Sequence, residues 1–96
     1  MSGAADRAQR DRLISDNLSY VRALAVGLRQ QVASHISVDE LEAYGQRGLV
    51  EAAERFDPTR GAAFRTFAYY RIRGAMFDGL REQGWLRRDR GARFAS

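Results

Sequence analysis

Residues 37–61 read SVDELEAYGQRGLVEAAERFDPTRG, and the two ends of that stretch decide the fold. Ser37-Val38-Asp39-Glu40 has the spacing of a capping box. The serine hydroxyl can accept from the backbone N–H three residues on, while the Glu40 carboxylate reaches back to the N–H of Ser37. A helix starts there. Asp57-Pro58-Thr59-Arg60-Gly61 stops it, because proline disfavours helical geometry at the residue before it and presets a turn, and glycine eases the exit. Between these ends Leu41, Tyr44, Gly45, Gly48, Leu49, Ala52 and Phe56 recur on one side at helical spacing. Gly45, Gly48 and Ala52 are small enough for a neighbouring helix to come close, at a propensity cost of about 1 kcal/mol per glycine.

Upstream, Ile14, Leu18, Val21, Ala25, Leu28 and Val32 are spaced alternately by four and three. This predicts a single amphipathic helix of about five turns, ended where Ala33-Ser34-His35-Ile36-Ser37 breaks the pattern. Ser2, Asp6 and Asp11 can each cap its start, and residues 1–10 are expected to fray. Downstream, a third helix is predicted from about residue 63 to 83, with Phe64, Ala68, Ile72, Ala75 and Met76 inward and Gly84 as its end signal. Residues 84–96 are polar, basic and interrupted by glycine. No alternating strand pattern, internal repeat or low-complexity tract is present. The expected architecture is all-α: a compact three-helix domain over residues 11–83 followed by a basic C-terminal tail.

With 96 residues the chain holds one core. At 45% hydrophobic and 29% charged residues it has the composition of a folded domain, and it carries no apolar run of membrane-spanning length. There is no cysteine, and His35 is the single histidine. That excludes a disulfide framework, a zinc ribbon and a thiolate nucleophile, and it leaves neither metal nor cofactor expected. The first residues, Met1-Ser-Gly-Ala-Ala-Asp-Arg7, lack the apolar segment of a secretory signal. The expectation is a cytoplasmic protein that is not an enzyme, since no apolar pocket is evident to raise the pKa of paired carboxylates.

All 16 basic residues are arginine, and the net charge of +4 is unevenly placed. Residues 1–57 carry a net −2 and residues 58–96 a net +6. An acidic first part and a basic second part point to two surfaces for two partners, the basic one suited to phosphate. On a helical wheel with Phe64, Ala68 and Ile72 inward, the third helix places Tyr70, Arg73, Phe77 and Arg81 together on the far side, flanked by Phe67 and Arg71. Rings of this kind stack on unpaired bases and guanidinium groups hold phosphates. The same rings would equally serve to cover a satellite core. The second helix is acidic, and its outward set Glu40, Ala43, Gln46, Arg47 and Val50 has the character of a protein-docking face as much as of a solvated one.

Residues 40–82 carry Gly-Leu-Val-Glu-Ala-Ala, Arg-Phe-Asp-Pro, Phe-x-Thr-Phe-Ala and Arg-Ile-Arg-Gly-Ala in that order. In this the chain resembles region 2 of the bacterial RNA polymerase sigma factors of the sigma-70 family. Arg71-Ile-Arg-Gly-Ala-Met76 followed by Trp85 is most similar to the flagellar and sporulation type, and the likeness spans roughly residues 10–88. The resemblance implies that the second helix docks on the β′ clamp helices of core RNA polymerase, with Glu40, Ala43, Tyr44, Gln46 and Val50 at matching positions. It implies that the third helix recognises and melts the minus-ten promoter element, chiefly its single-stranded non-template strand. Arg60, Phe64, Thr66, Phe67, Tyr70, Arg71 and Arg73 match the melting and recognition segment, and Gly74, Phe77 and Asp78 the upstream edge. Ala43 stands where many members have glutamine, Arg47 where an apolar residue is usual, and Arg71 where primary sigma factors have a second aromatic residue. The Trp85-Leu-Arg-Arg88 continuation lacks the family's proline. Such sigma factors continue into further promoter-binding regions, and this sequence stops at Ser96 as either an excised domain or a single-domain relative. Two other readings follow: an interaction module that occupies the clamp or an anti-sigma factor without opening DNA, and a generic helical duplex binder.

Overall fold

The computed structural model describes residues 3–32 and 35–84, and of the basic tail expected over 84–96, residues 85–96 lie outside the described residues. Four α-helices run in chain order: α1 Gly3–Asp16, α2 Leu18–Gln31, α3 Val38–Arg55 and α4 Phe64–Glu82, with a 3-10 turn at Pro58–Arg60 between the last two. No strand occurs among the described residues.

The expected start and stop of α3 are both formed. Ser37 Oγ accepts from the Glu40 N–H at 3.0 Å, and Glu40 Oε1 accepts from the Ser37 N–H at 2.9 Å. Beyond Phe56, the Asp57 carboxylate accepts from the Thr59 N–H at 2.9 Å and the Thr59 hydroxyl at 2.6 Å. Gly61 leaves the turn at φ 88°, a left-handed conformation that suits glycine. Gly84 at φ 78° closes α4 in the same way, where the sequence places its end signal.

The single first helix expected from the sequence is instead two. Asn17, only 6% exposed, donates from Nδ2 to the Leu13 carbonyl at 2.7 Å, while its backbone N–H turns to the Ile14 carbonyl at 3.1 Å. A side chain that satisfies a backbone acceptor competes with the helical ladder, and the helix breaks. Asn17 Oδ1 accepts from Arg65 Nε at 2.7 Å, and the Arg65 guanidinium lies 4.6 Å from the centre of the Tyr20 ring. This latch joins the α1–α2 corner to the start of α4. The break also dissolves the first part of the predicted stripe: Ile14 is half-buried and Leu18 is 40% exposed, whereas Val21, Ala25, Leu28 and Val32 are buried. The helix begins at Gly3, so residues 3–10, expected to fray, are helical, although no residue of α1 is buried.

The core forms where α4 lies against α3 and α2. Val21, Leu41, Leu49, Ile72, Met76 and Leu80 are fully buried, each large apolar side chain contributing about 1.5–3 kcal/mol. Leu80 and Gly79 extend the inner stripe of α4 one turn past the residues expected, and Ile36 plugs the core from the α2–α3 connection. Phe64 and Ala75, predicted inward, are half-buried at its margin. The closest approach of the helices is at the glycines. A Cβ on Gly48 would collide with the backbone carbonyl of Arg71, and one on Gly79 with the Tyr44 ring.

This sets opposite signs for two glycine-to-alanine changes. Gly48→Ala forces backbone apart and should destabilise by about 1–3 kcal/mol. Gly27→Ala, within α2 with nothing inside 4 Å of the new methyl, should stabilise by about 0.5–1 kcal/mol. Urea unfolding midpoints at unchanged slope check both, and shifts in the same direction would contradict this packing.

Candidate nucleic-acid interface

The stop after α3 and the start of α4 gather three phenylalanines. The Phe56 ring meets Phe64 edge-on at 5.2 Å and Phe67 at 5.8 Å. Beside them opens a cavity of about 380 Å³ lined by Arg55, Phe56, Asp57, Arg60, Phe67 and Arg71. An aromatic wall with arginines at the rim suits a flat base and its phosphate. Asp57 is held below the ordinary carboxylate value, first by the Thr59 hydroxyl, then by the Thr59 N–H, with Arg60 adding a smaller pull. The cavity therefore keeps one fixed negative charge among its cations at neutral pH.

Further along α4, Tyr70 stands free: 76% of it is exposed, and its ring meets Tyr69 edge-on at 5.0 Å. Arg73 lies 5.9 Å from the centre of the Tyr69 ring and 5.3 Å from that of Phe77. Arg60, Thr66, Gly74, Asp78 and Arg81 are also exposed, with Arg81 paired to Asp78 at 2.7 Å. The far side of α4 is thus less open than the wheel implies. Phe67 and Phe77 are half-buried and pack against the core, Phe67 beside the Phe56 ring and Phe77 beside the Arg73 guanidinium. Among the described residues Tyr70 is the aromatic ring left open to solvent.

Arg71 lies 4.9 Å from the centre of the Phe67 ring, and its Nη1 is 2.8 Å from Glu51 Oε1 on α3. Beyond this pair a groove of about 430 Å³ runs between α3 and α4. Arg47 and Arg71 line it together with Glu51, Asp78 and Glu82, and no ring does, so it offers a strand no stacking surface. Sequence reasoning did not single out Tyr69, Asp57 or Glu51 as members of this region. The neighbouring Tyr70 was a signal for the first, while the other two are placed by contacts that no spacing rule encodes.

On α3, Glu40, Ala43, Arg47 and Val50 form an exposed stripe, as the outward face predicts, and Gln46 is half-buried beside it. Tyr44 departs from that face. Its ring packs on Gly79, Arg47 lies 5.1 Å from its centre, and its hydroxyl is 3.5 Å from Gln83 Nε2. Glu40 is committed to the cap and also accepts from Gln83 Nε2 at 2.9 Å. Among the described residues no three acidic, histidine or cysteine side chains are placed to hold a metal, and no helix is long and apolar enough to cross a membrane.

Residues 13–86 match the family model for Sigma-70 region 2. The chain belongs to the sigma-70 region 2 family. It is 45% identical over 69 residues to the RNA polymerase sigma-D factor of Bacillus subtilis, covering 72% of this chain and 26% of that protein. It is 36% identical over 87 residues to the RNA polymerase sigma factor FliA of Pseudomonas aeruginosa, covering 91% of this chain and 35% of the relative. With FliA of Escherichia coli it shares 43% over 68 residues, 71% of this chain and 28% of that one. The resemblance read from the sequence is borne out, and the chain spans about a quarter to a third of the length of these relatives.

The Glu40 contacts carry a pH signature. Its carboxyl is held below the ordinary value, first by the Ser37 backbone N–H and then by the Gln83 amide. A carboxyl depressed in the fold and ordinary in the unfolded chain stabilises above its ordinary pKa, and that stability fades as pH falls through the depressed value. Between about pH 6 and about pH 3 the wild type should lose more stability than Glu40→Gln, measured by thermal melts at each pH. Parallel curves would remove the coupling.

Proposed function

We propose that this domain docks on the β′ clamp helices of core RNA polymerase through the exposed stripe of α3, and that α4 recognises and opens the minus-ten promoter element in transcription initiation. The observation that carries the reading is Tyr70: a large ring at 76% exposure beside Arg73, one turn beyond Phe67 and its arginine-rimmed cavity. An exposed ring adds little to folding, whereas stacking on an unpaired base contributes about 1–3 kcal/mol. That offsets the few kcal/mol required to take a base out of the duplex. Family membership supports the same assignment of α3 to polymerase and α4 to promoter. On this account Phe67 and Tyr70 receive bases. Arg60, Arg71, Arg73 and Arg81 hold phosphates, with Phe64 and Thr66 at the entrance and Gly74, Phe77 and Asp78 toward the upstream edge. Strand opening is driven by binding, with no catalytic group, metal or cofactor involved.

The test is fluorescence anisotropy with short unpaired oligonucleotides of mixed sequence, compared with the same strands annealed to their complements. Wild type should prefer the unpaired form. Tyr70→Ala, which removes no packed side chain, and Phe67→Ala, checked for retained helicity, should each weaken that binding by about 1–3 kcal/mol. Unchanged affinity in both variants would exclude the role of α4 in strand capture.

A further inference from the structure

Phe67 is not simply available to a base. Phe56 abuts its ring at 5.8 Å, and the Arg71 guanidinium lies over it at 4.9 Å. Arg71 is held in that place by Glu51, 2.8 Å away and reached across from α3. The packing of α3 on α4 sets where Glu51 starts from. Gly48, one turn earlier on α3, is pressed against the backbone carbonyl of Arg71 itself, so the two helices are in register at this point. Glu51 projects on the same face of α3 as Gly48.

We infer that Glu51 is a positioning residue that closes Arg71 over Phe67, making the pair a shutter on the base-binding cavity. The inference rests on the reading of α4 as the strand-binding face. Closed, the shutter withholds two things at once: the face of the Phe67 ring and the charge of Arg71, which Glu51 neutralises. A phosphate can replace the Glu51 carboxylate on the guanidinium, and a base can replace the guanidinium on the ring. Only a ligand that presents both, one nucleotide with its base unpaired, recovers the two lost contacts together. A phosphate alone gains no stacking, and a duplex has no free base to offer. The shutter therefore acts as a specificity element for unpaired strand over bare polyanion, built from a residue of the α3 helix. Both partners are partly exposed, and ion pairs in such settings exchange readily with other charges.

The test uses the 96-residue chain, the same unpaired and annealed oligonucleotides, and a salt series. Removing a carboxylate near a polyanion strengthens binding in any case, so Glu54→Gln, one turn beyond on α3 and 4.0 Å from Arg10 of α1, is the control for losing a paired carboxylate from this helix away from the Phe67 ring. Glu51→Gln should tighten unpaired-strand binding about fivefold beyond that control. It should also steepen the slope of log K against log salt by about 0.7, the increment for one more phosphate neutralised on a single strand. In a Phe67→Leu background, and for an oligonucleotide of abasic sites, the extra gain should shrink to its salt-dependent part, the one phosphate that the freed Arg71 holds. Equal effects of Glu51→Gln and Glu54→Gln, or a gain of the same size with and without the Phe67 ring, would overturn the shutter. If Tyr70→Ala still weakens binding under those outcomes, the strand-binding reading stands without it. If Tyr70→Ala and Phe67→Ala have no effect either, both fall together.

Discussion

The closeness of α3 to α4 at Gly48 is the constraint from which the rest of the molecule follows. With hydrogen in place of a side chain, the α3 backbone rests on the Arg71 carbonyl. Gly45 repeats the approach a turn earlier, where a Cβ would collide with the end of Met76. This contact fixes the register of the two helices. It puts Tyr44 over Gly79, Glu51 opposite Arg71, and Phe56 at the foot of α3 against Phe64 and Phe67. A helix separated by one more methyl layer would keep its apolar core but lose these cross-contacts together. The glycines cost helix propensity, about 1 kcal/mol each, and the tight packing they permit is what offsets it.

What was legible in the sequence divides by the range of the interaction that causes it. The capping box at Ser37–Glu40 and the turn at Asp57–Gly61 are made from neighbours within three residues, so residue types at fixed spacing reveal them. The buried members of α2, α3 and α4 follow from periodicity, which reports the direction of the core. The break at Asn17 does not, since its stabilising partner Arg65 is 48 residues away and asparagine within a helical pattern is unremarkable until that partner is known. The half-burial of Phe77 and Phe67 was hidden for a related reason. A helical wheel describes one element alone, whereas Phe67 meets the Phe56 ring beyond the end of α3 and both Phe67 and Phe77 lie at the margin of the core.

The polarised charge of the chain has a different meaning in three dimensions than along the sequence. The acidic α3 and the arginine-bearing α4 are adjacent, and charges pair across them: Glu51 with Arg71, and Arg47 with Glu82 at 3.7 Å. Exposed pairs of this kind contribute at most about 1 kcal/mol each, so they neither hold the helices together nor explain the fold. Their consequence is electrostatic. They lower the effective charge of α4 on the side facing α3, while on the side of the rings Arg73 lies against Tyr69 and Phe77 and Arg60 sits 3.6 Å from the Asp57 carboxylate. The two halves of the charge pattern thus produce one basic edge rather than two independent faces.

That edge orders the rings of α4 by what must move before each is used. Tyr70 needs nothing displaced, since most of its surface already faces solvent. Phe67, three residues back and therefore its neighbour on the helix surface, already borders the cavity, but the ring face under the Arg71 guanidinium is freed only when that group leaves. On the proposed strand-binding reading, a strand arriving along the basic edge would meet the open ring first, at no cost in protein contacts. The covered ring face would open afterwards, when a phosphate already held nearby could take the place of Glu51. The first stacking event would supply the local concentration of phosphate that the second requires, so that the two rings would act in sequence although they lie within a single turn. A second tyrosine-like open ring at position 67 would bind strands more readily and discriminate them less, because nothing would then require base and phosphate to arrive together.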